Sequence, residues 1–310
     1  VAALEDWCPH RGAPLSLGRV EQGRLVCGYH GLQMGCDGKV LAMPGQRVQG
    51  FPSVRAYPAL ERYGYVWVWP GEAARADPAL LPRLSWAEDP GWAFGGGLYH
   101  VRCDYRLMID NLMDLTHEKY VHADSIGQKE LDEVVPQTTV EGGTVLTRRE
   151  MHNVQAPPFW QAAMRGNGLD AQAPVDRWQR CRFVPPSNVF IEVGVALAGH
   201  GGFAAPAAVK TSGIVVDLIT PETDTSMWYF WGLARDFRPQ DQALTASIRE
   251  AQGRIFAEDI AILEAQQRNL SAQPQRRLLS LNTDLGGVQA RRIIERLVAA
   301  EREAAPALAA

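Results

Sequence analysis

Over the first seventy positions, apolar and polar residues change places in short bursts. "GRLVCGYH", "GKVLAMP" and "YGYVWVWPG" are brief β-type runs punctuated by Gly and Pro. This texture predicts a small all-β unit with tight turns, its clearest strand the aromatic and β-branched run closed by Pro-Gly. "GEAARADPALLPRLSWAEDPGW" turns to Ala, Pro and Asp and reads as a connecting segment. In "DYRLMIDNLMDLTHEKYVH" the period lengthens, and Leu107, Asn111, Asp114 and His117 fall at helical spacing along one side. The strand-like runs "TTVEGGTVLTRREM", "SNVFIEVGVAL", "SGIVVDLITPE" and "SMWYFWGLARDF" follow, with "EGG" as a hairpin turn. A long helix is predicted from about Thr245 to Asn269, and a last amphipathic helix over "GVQARRIIERLVAAERE". Strands followed by long helices predict an α+β second domain, with the chain dividing into 1–97 and 98–310.

Composition narrows the class. The chain has 310 residues, 46% hydrophobic and 21% charged, ordinary for a globular protein. A net charge of −4 gives no reason to expect a nucleic-acid partner. There is no internal repeat, and no apolar run is long enough to span a bilayer. "VAALEDWCPHRG" already reads as mid-domain, so further residues are expected upstream of Val1. The five cysteines are Cys8, Cys27, Cys36, Cys103 and Cys181. An odd, scattered set is not a disulfide framework; it suits a reducing compartment with special cysteines acting as metal ligands.

"WCPHRGAPLSLG" carries Cys8 and His10, and "LVCGYHGL" carries Cys27 and His30. Each loop offers one soft thiolate and one imidazole, a composition that suits iron–sulfur or zinc. Zinc fingers run Cys, Cys, His, His, whereas here C-x-H is followed after sixteen residues by C-x₂-H. Two such loops can each give a Cys to one iron and a His to the other, the ligand set of a Rieske [2Fe–2S] centre. Gly12, Gly28 and Gly31 flank the ligands and would permit positive φ or a close backbone approach. A structural zinc, or structural cysteines beside surface histidines, are the competing readings.

A second constellation is "NLMDLTHEKYVH", with Asn111, Asp114, His117 and His122. At i,i+3, Asp114 and His117 would share a helix face, letting the carboxylate orient the imidazole. His117 and His122 are five apart, so a regular helix would point them about 140° from one another. One metal can take both only if the helix is distorted, expected near Glu118 to Val121. The H-E-x-x-H zinc-protease spacing is not met. A 2-His-1-carboxylate iron site needs one more oxygen ligand. Glu258 and Asp259 in "RIFAEDIAILEAQQRNL" are adjacent; either could face inward, and both could be surface charges. Asn111 reads as a helix-face polar residue, an outer hydrogen bonder, or a neighbour of the metal's open side.

"CPHRGAPLSLG" and "CGYHGL" resemble the Rieske domain of aromatic-ring-attacking non-haem iron oxygenases, with Leu32 departing from the Trp many of them carry. "MPGQRVQGFP", "CDYRLMIDNLMDLTHEKYVHADSIGQKE", "APPFW", "PVDRW" and "ITPETDTSMWYFWGLARDFRP" extend the likeness to the vanillate O-demethylase oxygenase family over nearly the whole chain. The resemblance implies an all-β Rieske domain followed by a helix-grip (START-like) catalytic domain with an antiparallel sheet. It implies a [2Fe–2S] cluster on Cys8, His10, Cys27 and His30, and mononuclear Fe(II) on His117, His122 and Asp259. By the same analogy Asp114 links the two centres across subunits of a homotrimer, and Asn111 lies near the iron. The implied activity is O-demethylation of vanillate or a close methoxybenzoate to protocatechuate and formaldehyde, in a bacterial cytoplasm and in the catabolism of lignin-derived aromatics. O₂ would be co-substrate, with electrons from NADH or NADPH through a separate flavin/[2Fe–2S] reductase. Ile191 and Asp217 lie on strands that line the pocket in related demethylases, with "APPFW", "NVFIEVGV" and "GIVVDLI" as possible walls. Arg148, Arg149, Arg180 and Arg182 are possible carboxylate partners. Other aryl-ether demethylases and ring-hydroxylating dioxygenases share both metal sites; a Rieske electron carrier would need only the first, and a ligand-binding protein neither.

Overall fold

The computed structural model describes residues 1–304, in two compact units, Val1–Glu88 and a second that begins at Asp89. The division falls nine residues before the expected boundary at 97/98. The reason is the strand Ala93–Val101, which is hydrogen-bonded into the second unit's sheet.

The first unit is built from short strands: β1 (Ala3–Leu4), β2 (Arg19–Glu21), β3 (Arg24–Val26), β4 (Gln33–Met34), β5 (Val40–Ala42), β6 (Ala56–Tyr57), β7 (Ala59–Arg62) and β8 (Tyr65–Val68). Successive strands β2 to β5 form one antiparallel sheet, and β1 with β6 and β7 with β8 form two smaller pairs. Cys8, Leu15, Cys27, Leu32, Met34 and Val54 make its small core. Leu32, the departure from Trp, is buried in this core. The predicted connecting segment contains only isolated 3₁₀ turns, such as Pro78–Leu80, capped by the Asp77 side chain.

The second unit is a seven-stranded antiparallel sheet covered by helices. Its strands are β9 (Ala93–Val101), β10 (Gln137–Glu141), β11 (Thr144–Val154), β12 (Val175–Val184), β13 (Asn188–Leu197), β14 (Lys210–Thr223) and β15 (Ser226–Arg235). The order is β10-β11-β12-β13-β14-β15-β9, so β9 returns to the far edge. The "EGG" turn joins β10 to β11 through Gly142 and Gly143, both at positive φ.

The helices are α1 (Tyr105–Met113), α2 (Glu118–Val121), α3 (Pro158–Gly166), α4 (Gln242–Ala272) and α5 (Leu285–Ala304). At nine residues, α1 would not hold alone. Asp104 caps its start, and Leu107, Met108, Ile109, Leu112 and Met113 are buried against the sheet. Each such side chain contributes about 1.5–3 kcal/mol on burial. Arg291 of α5 grips Asp110 of α1, with Nε at 2.8 Å from Oδ1. Helix α4 begins at the Asp241 cap and buries Ile248, Gln252, Ile255, Phe256, Asp259 and Leu263, one stripe at helical spacing. An antiparallel sheet holding one long helix is the arrangement the resemblance implies. Among the described residues, no helix is long and apolar enough to cross a membrane.

Candidate functional site

In the first unit the two loops bring like beside like. Cys8 and Cys27 are both buried and close enough for Cys27 to raise the cost of ionising Cys8. The rings of His10 and His30 lie 4.5 Å apart. Burial pushes the Cys8 thiol up, the backbone of His10 and Arg11 pulls it down by hydrogen bonding, and Cys27 raises it further. Two neighbouring buried sulfurs served by backbone donors, with two adjacent imidazoles on the same pair of loops, fit a binuclear iron–sulfur cluster. Gly12 has φ +68°, and a Cβ there would meet the Trp7 ring at 2.6 Å. A Cβ on Gly28 would sit 2.7 Å from the Leu17 carbonyl oxygen. All five cysteines are free thiols; Cys36 is exposed, and Cys103 and Cys181 are buried elsewhere.

In the second unit the apolar pattern continues through Leu112, Met113 and Leu115, but the helix does not. Helix α1 stops at Met113, and Asp114 takes extended angles (φ −98°, ψ 120°). Its Oδ1 accepts from the Thr116 N–H and hydroxyl, both at 2.7 Å, closing an Asx-type turn. Asp114 and His117 therefore do not share a helix face, which corrects the i,i+3 expectation. The chain breaks first at 114–116, and the single turn of α2 then ends at Val121, so helical geometry is lost between His117 and His122 where the spacing required it. His117 precedes that turn and His122 follows it with non-helical angles (φ −112°, ψ 33°), so the two imidazoles need not diverge. Their ring centroids are 5.2 Å apart.

Asp259 completes the group. His117 Nε2 lies 3.4 Å and His122 Nε2 3.1 Å from its Oδ1. Three buried or half-buried donors on one locus, all within 4.8 Å of one another, fit a mononuclear metal of the 2-His-1-carboxylate type. The electrostatics ask for a cation. Burial disfavours charge on both imidazoles, yet Asp259 outweighs it and raises both pKa values. Burial opposes ionisation of Asp259, but hydrogen bonds from the two histidines hold it at about 2.

Glu258, next on the helix, points elsewhere: its Oε2 lies 2.6 Å from His122 Nδ1. Adjacent helix positions thus serve one imidazole from two sides, a role that sequence reasoning missed. The Asp114 carboxylate approaches His117 Nδ1 only to 3.8 Å, and that buried nitrogen has no hydrogen-bond partner. Asn111 donates from Nδ2 to Asp259 Oδ1 at 3.0 Å.

A pocket with mostly apolar walls opens beside the three donors, the kind of lining that small-ligand sites use. Phe159, Trp160, Ile255 and Phe256 line it from the helices. One row across the sheet, Cys181, Ile191, Val215 and Leu233, lines it from β12 to β15 in register. Ile191 is where the resemblance placed it. Asp217 is not in the lining: it is fully buried one row along, accepting the Tyr229 hydroxyl at 2.6 Å. Of the arginines expected to meet a carboxylate, Arg148 is exposed and Arg180 pairs with Glu192 at 3.2 Å on the other face of β12. Arg182 shares that other face, and Arg149 is buried outside the lining. The arginine that does line the cavity is Arg177.

Comparison with known proteins decides the family. The Rieske [2Fe-2S] domain model matches residues 1–58, and the vanillate O-demethylase oxygenase C-terminal domain model matches residues 101–300. The chain belongs to the vanillate O-demethylase oxygenase family. Within that family it is 70% identical, over 98% of its length and 92% of the relative's, to the vanillate O-demethylase oxygenase subunit of Pseudomonas sp. (strain ATCC 19151). It is 33% identical to the dicamba O-demethylase oxygenase component of Stenotrophomonas maltophilia, over 96% of this chain and 86% of that one. The crystal structure of dicamba monooxygenase bound to 3,6-dichlorosalicylic acid superposes with a TM-score of 0.88 at 32% identity, covering 97% of this chain and 87% of that one. The chain is thus a Rieske non-haem iron monooxygenase of this family, with the Rieske domain N-terminal to the sheet-and-helix domain.

Proposed function

We propose that the chain is the oxygenase component of an aryl-ether demethylase acting on vanillate or a close methoxybenzoate. The observation that carries this is the convergence of His117, His122 and Asp259 on a pocket walled by aromatic and aliphatic side chains. When bound, iron on these three residues and a [2Fe–2S] cluster on Cys8, His10, Cys27 and His30 supply oxygen activation and one-electron delivery. The chain's own residues do the rest. The apolar row on the sheet and the aromatic side chains of α3 and α4 hold a ring and exclude water. Glu258 fixes His122 by its Nδ1, and Asn111 restrains Asp259.

In balance, one methoxyarene, one O₂, two electrons and two protons give a hemiacetal and one water. The hemiacetal breaks at its methylene C–O bond to the aryl oxygen, releasing formaldehyde and the phenol, protocatechuate for vanillate. The electrons come from NADH or NADPH through a separate flavin/[2Fe–2S] reductase. We place the enzyme in the cytoplasm, in breakdown of lignin-derived aromatics, as a homotrimer. Its Asp114 connects His117 of one subunit to His10 or His30 of the next.

The test is turnover of the iron-loaded protein with a reductase. Vanillate should release formaldehyde with matching O₂ consumption. O₂ consumption without formaldehyde from any aryl ether refutes the reading, and a cis-diol in its place would make the protein a ring dioxygenase. Asp114→Asn should keep both metal centres filled while losing coupled turnover.

A further inference from the structure

The cavity has one polar feature that metal binding does not use. Glu118 directly follows His117 in sequence, yet its side chain runs to the sheet and is 4% exposed. There it accepts from Arg177 (3.3 Å) and from Gln179. Arg149 stands 3.5 Å from the same carboxylate and donates to Gln179 at 2.7 Å. Both guanidiniums are 1% exposed. Two buried cations thus share one buried anion. No other acid forms an ion pair with either arginine among the described residues. Glu130 is bridged to Arg177 by Gln128, which accepts from Arg177 and donates to Glu130, and Asp114 and Asp132 act on Arg149 only through space.

A buried surplus charge is expensive unless something answers it. Arg177 is fully buried, and its Nε has no hydrogen-bond partner. Burial pulls the pKa of this guanidinium down to about 10, so it keeps its charge at neutral pH but holds it less firmly than an exposed arginine. Among the described lining residues it is the one lysine or arginine, and Gln179 lies beside it on the same strand face. From there the Cys181, Ile191, Val215 and Leu233 row leads away as an apolar wall.

Resting on the proposed aryl-ether oxidation, we infer that Arg177 receives the carboxylate of the substrate. The substrate class is then an aromatic acid, held by its anionic end at β12 so that the remainder of the ring lies along the apolar row. A neutral methoxyarene of the same shape leaves the surplus charge unanswered and binds more weakly. Charge-assisted hydrogen bonding in a dry site makes the difference on the order of 10- to 100-fold in Kd.

The experiment is anaerobic calorimetry on the metal-loaded protein with two probes, 4-hydroxy-3-methoxybenzoate and 4-hydroxy-3-methoxybenzamide. The wild type should prefer the acid by at least about tenfold. In Arg177→Met this preference should fall to within about threefold, mostly by weaker binding of the acid. Should that variant not fold, Arg177→Gln leaves Arg149 and Glu118 as a balanced pair, keeps a donor for the Glu118 carboxylate and carries the same expectation. Equal binding of acid and amide by the wild type, or an undiminished preference in a folded variant, overturns the assignment. Formaldehyde release by the wild type is measured in parallel. Its absence from all methoxybenzoates would sink the demethylase reading, while the acid-to-amide ratio would still decide the role of Arg177.

Discussion

Asp217 lies fully buried on the inner face of β14 with one oxygen bonded to Tyr229 and the other, Oδ2, without a partner. Burial lifts its carboxyl from 3.8 to about 8, against the lowering effect of the Tyr229 hydrogen bond, and the charge of Asp259 lifts it further. The folded chain therefore retains a proton that the unfolded chain gives up near pH 4. The stability this contributes is complete below about pH 4, declines as pH rises toward about 8, and is level above it. A rise of about 4 units at ~1.4 kcal/mol per unit sets a ceiling of about 6 kcal/mol, with a slope of about 1.4 kcal/mol per pH unit inside the window. Asn has the shape of the protonated acid and can still accept from Tyr229, so Asp217→Asn should remove the slope. Urea unfolding of wild type and variant at half-unit steps from pH 5 to pH 9 reads the difference directly. The variant should gain on the wild type steadily up to about pH 8. A wild type–variant difference that stays constant across this range would refute a neutral Asp217.

Two further substitutions probe the metal centres. Glu258→Gln keeps a partner for His122 Nδ1 but removes its charge; iron affinity of the second unit should fall about 10- to 100-fold in a chelator titration, with the Rieske absorption unchanged. Gly12→Ala must move either the Trp7 ring or a loop at φ +68°, so visible absorption per chain should drop while the far-ultraviolet dichroism of the second unit persists.

The ligands were the most legible part of the site because chemistry restricts them. Few reasons other than metal put Cys and His together twice at short spacing, and the His117–His122 spacing demanded a break in the helix. The earlier stop of α1 at Met113 was hidden, since Leu112, Met113 and Leu115 stay buried on both sides of it. Periodicity reports burial, and burial continues through a turn. From spacing alone Asp259 could not be told from Glu258, and only the resemblance named it; the inward stripe Ile248, Gln252, Ile255, Phe256, Asp259 and Leu263 has two polar members that mask the pattern. Arg177 was invisible for a related reason. The run from Val175 to Gln179 is buried on both faces, so strand alternation gives no sign of which charged residue looks inward. The strands and the two late helices were readable because their apolar spacing is long and regular, and the sheet order was not, because β9 joins β15 across more than a hundred residues of chain.

The apolar row Cys181, Ile191, Val215 and Leu233 takes one side chain from each of four neighbouring strands. Strand spacing makes it a ruler with divisions of about 4.8 Å. Exchanging one residue resizes one division and leaves the others, and the cluster of His117, His122 and Asp259 that faces them, where they were. A lineage with this architecture can therefore change its diet one strand at a time while inheriting its oxygen chemistry whole.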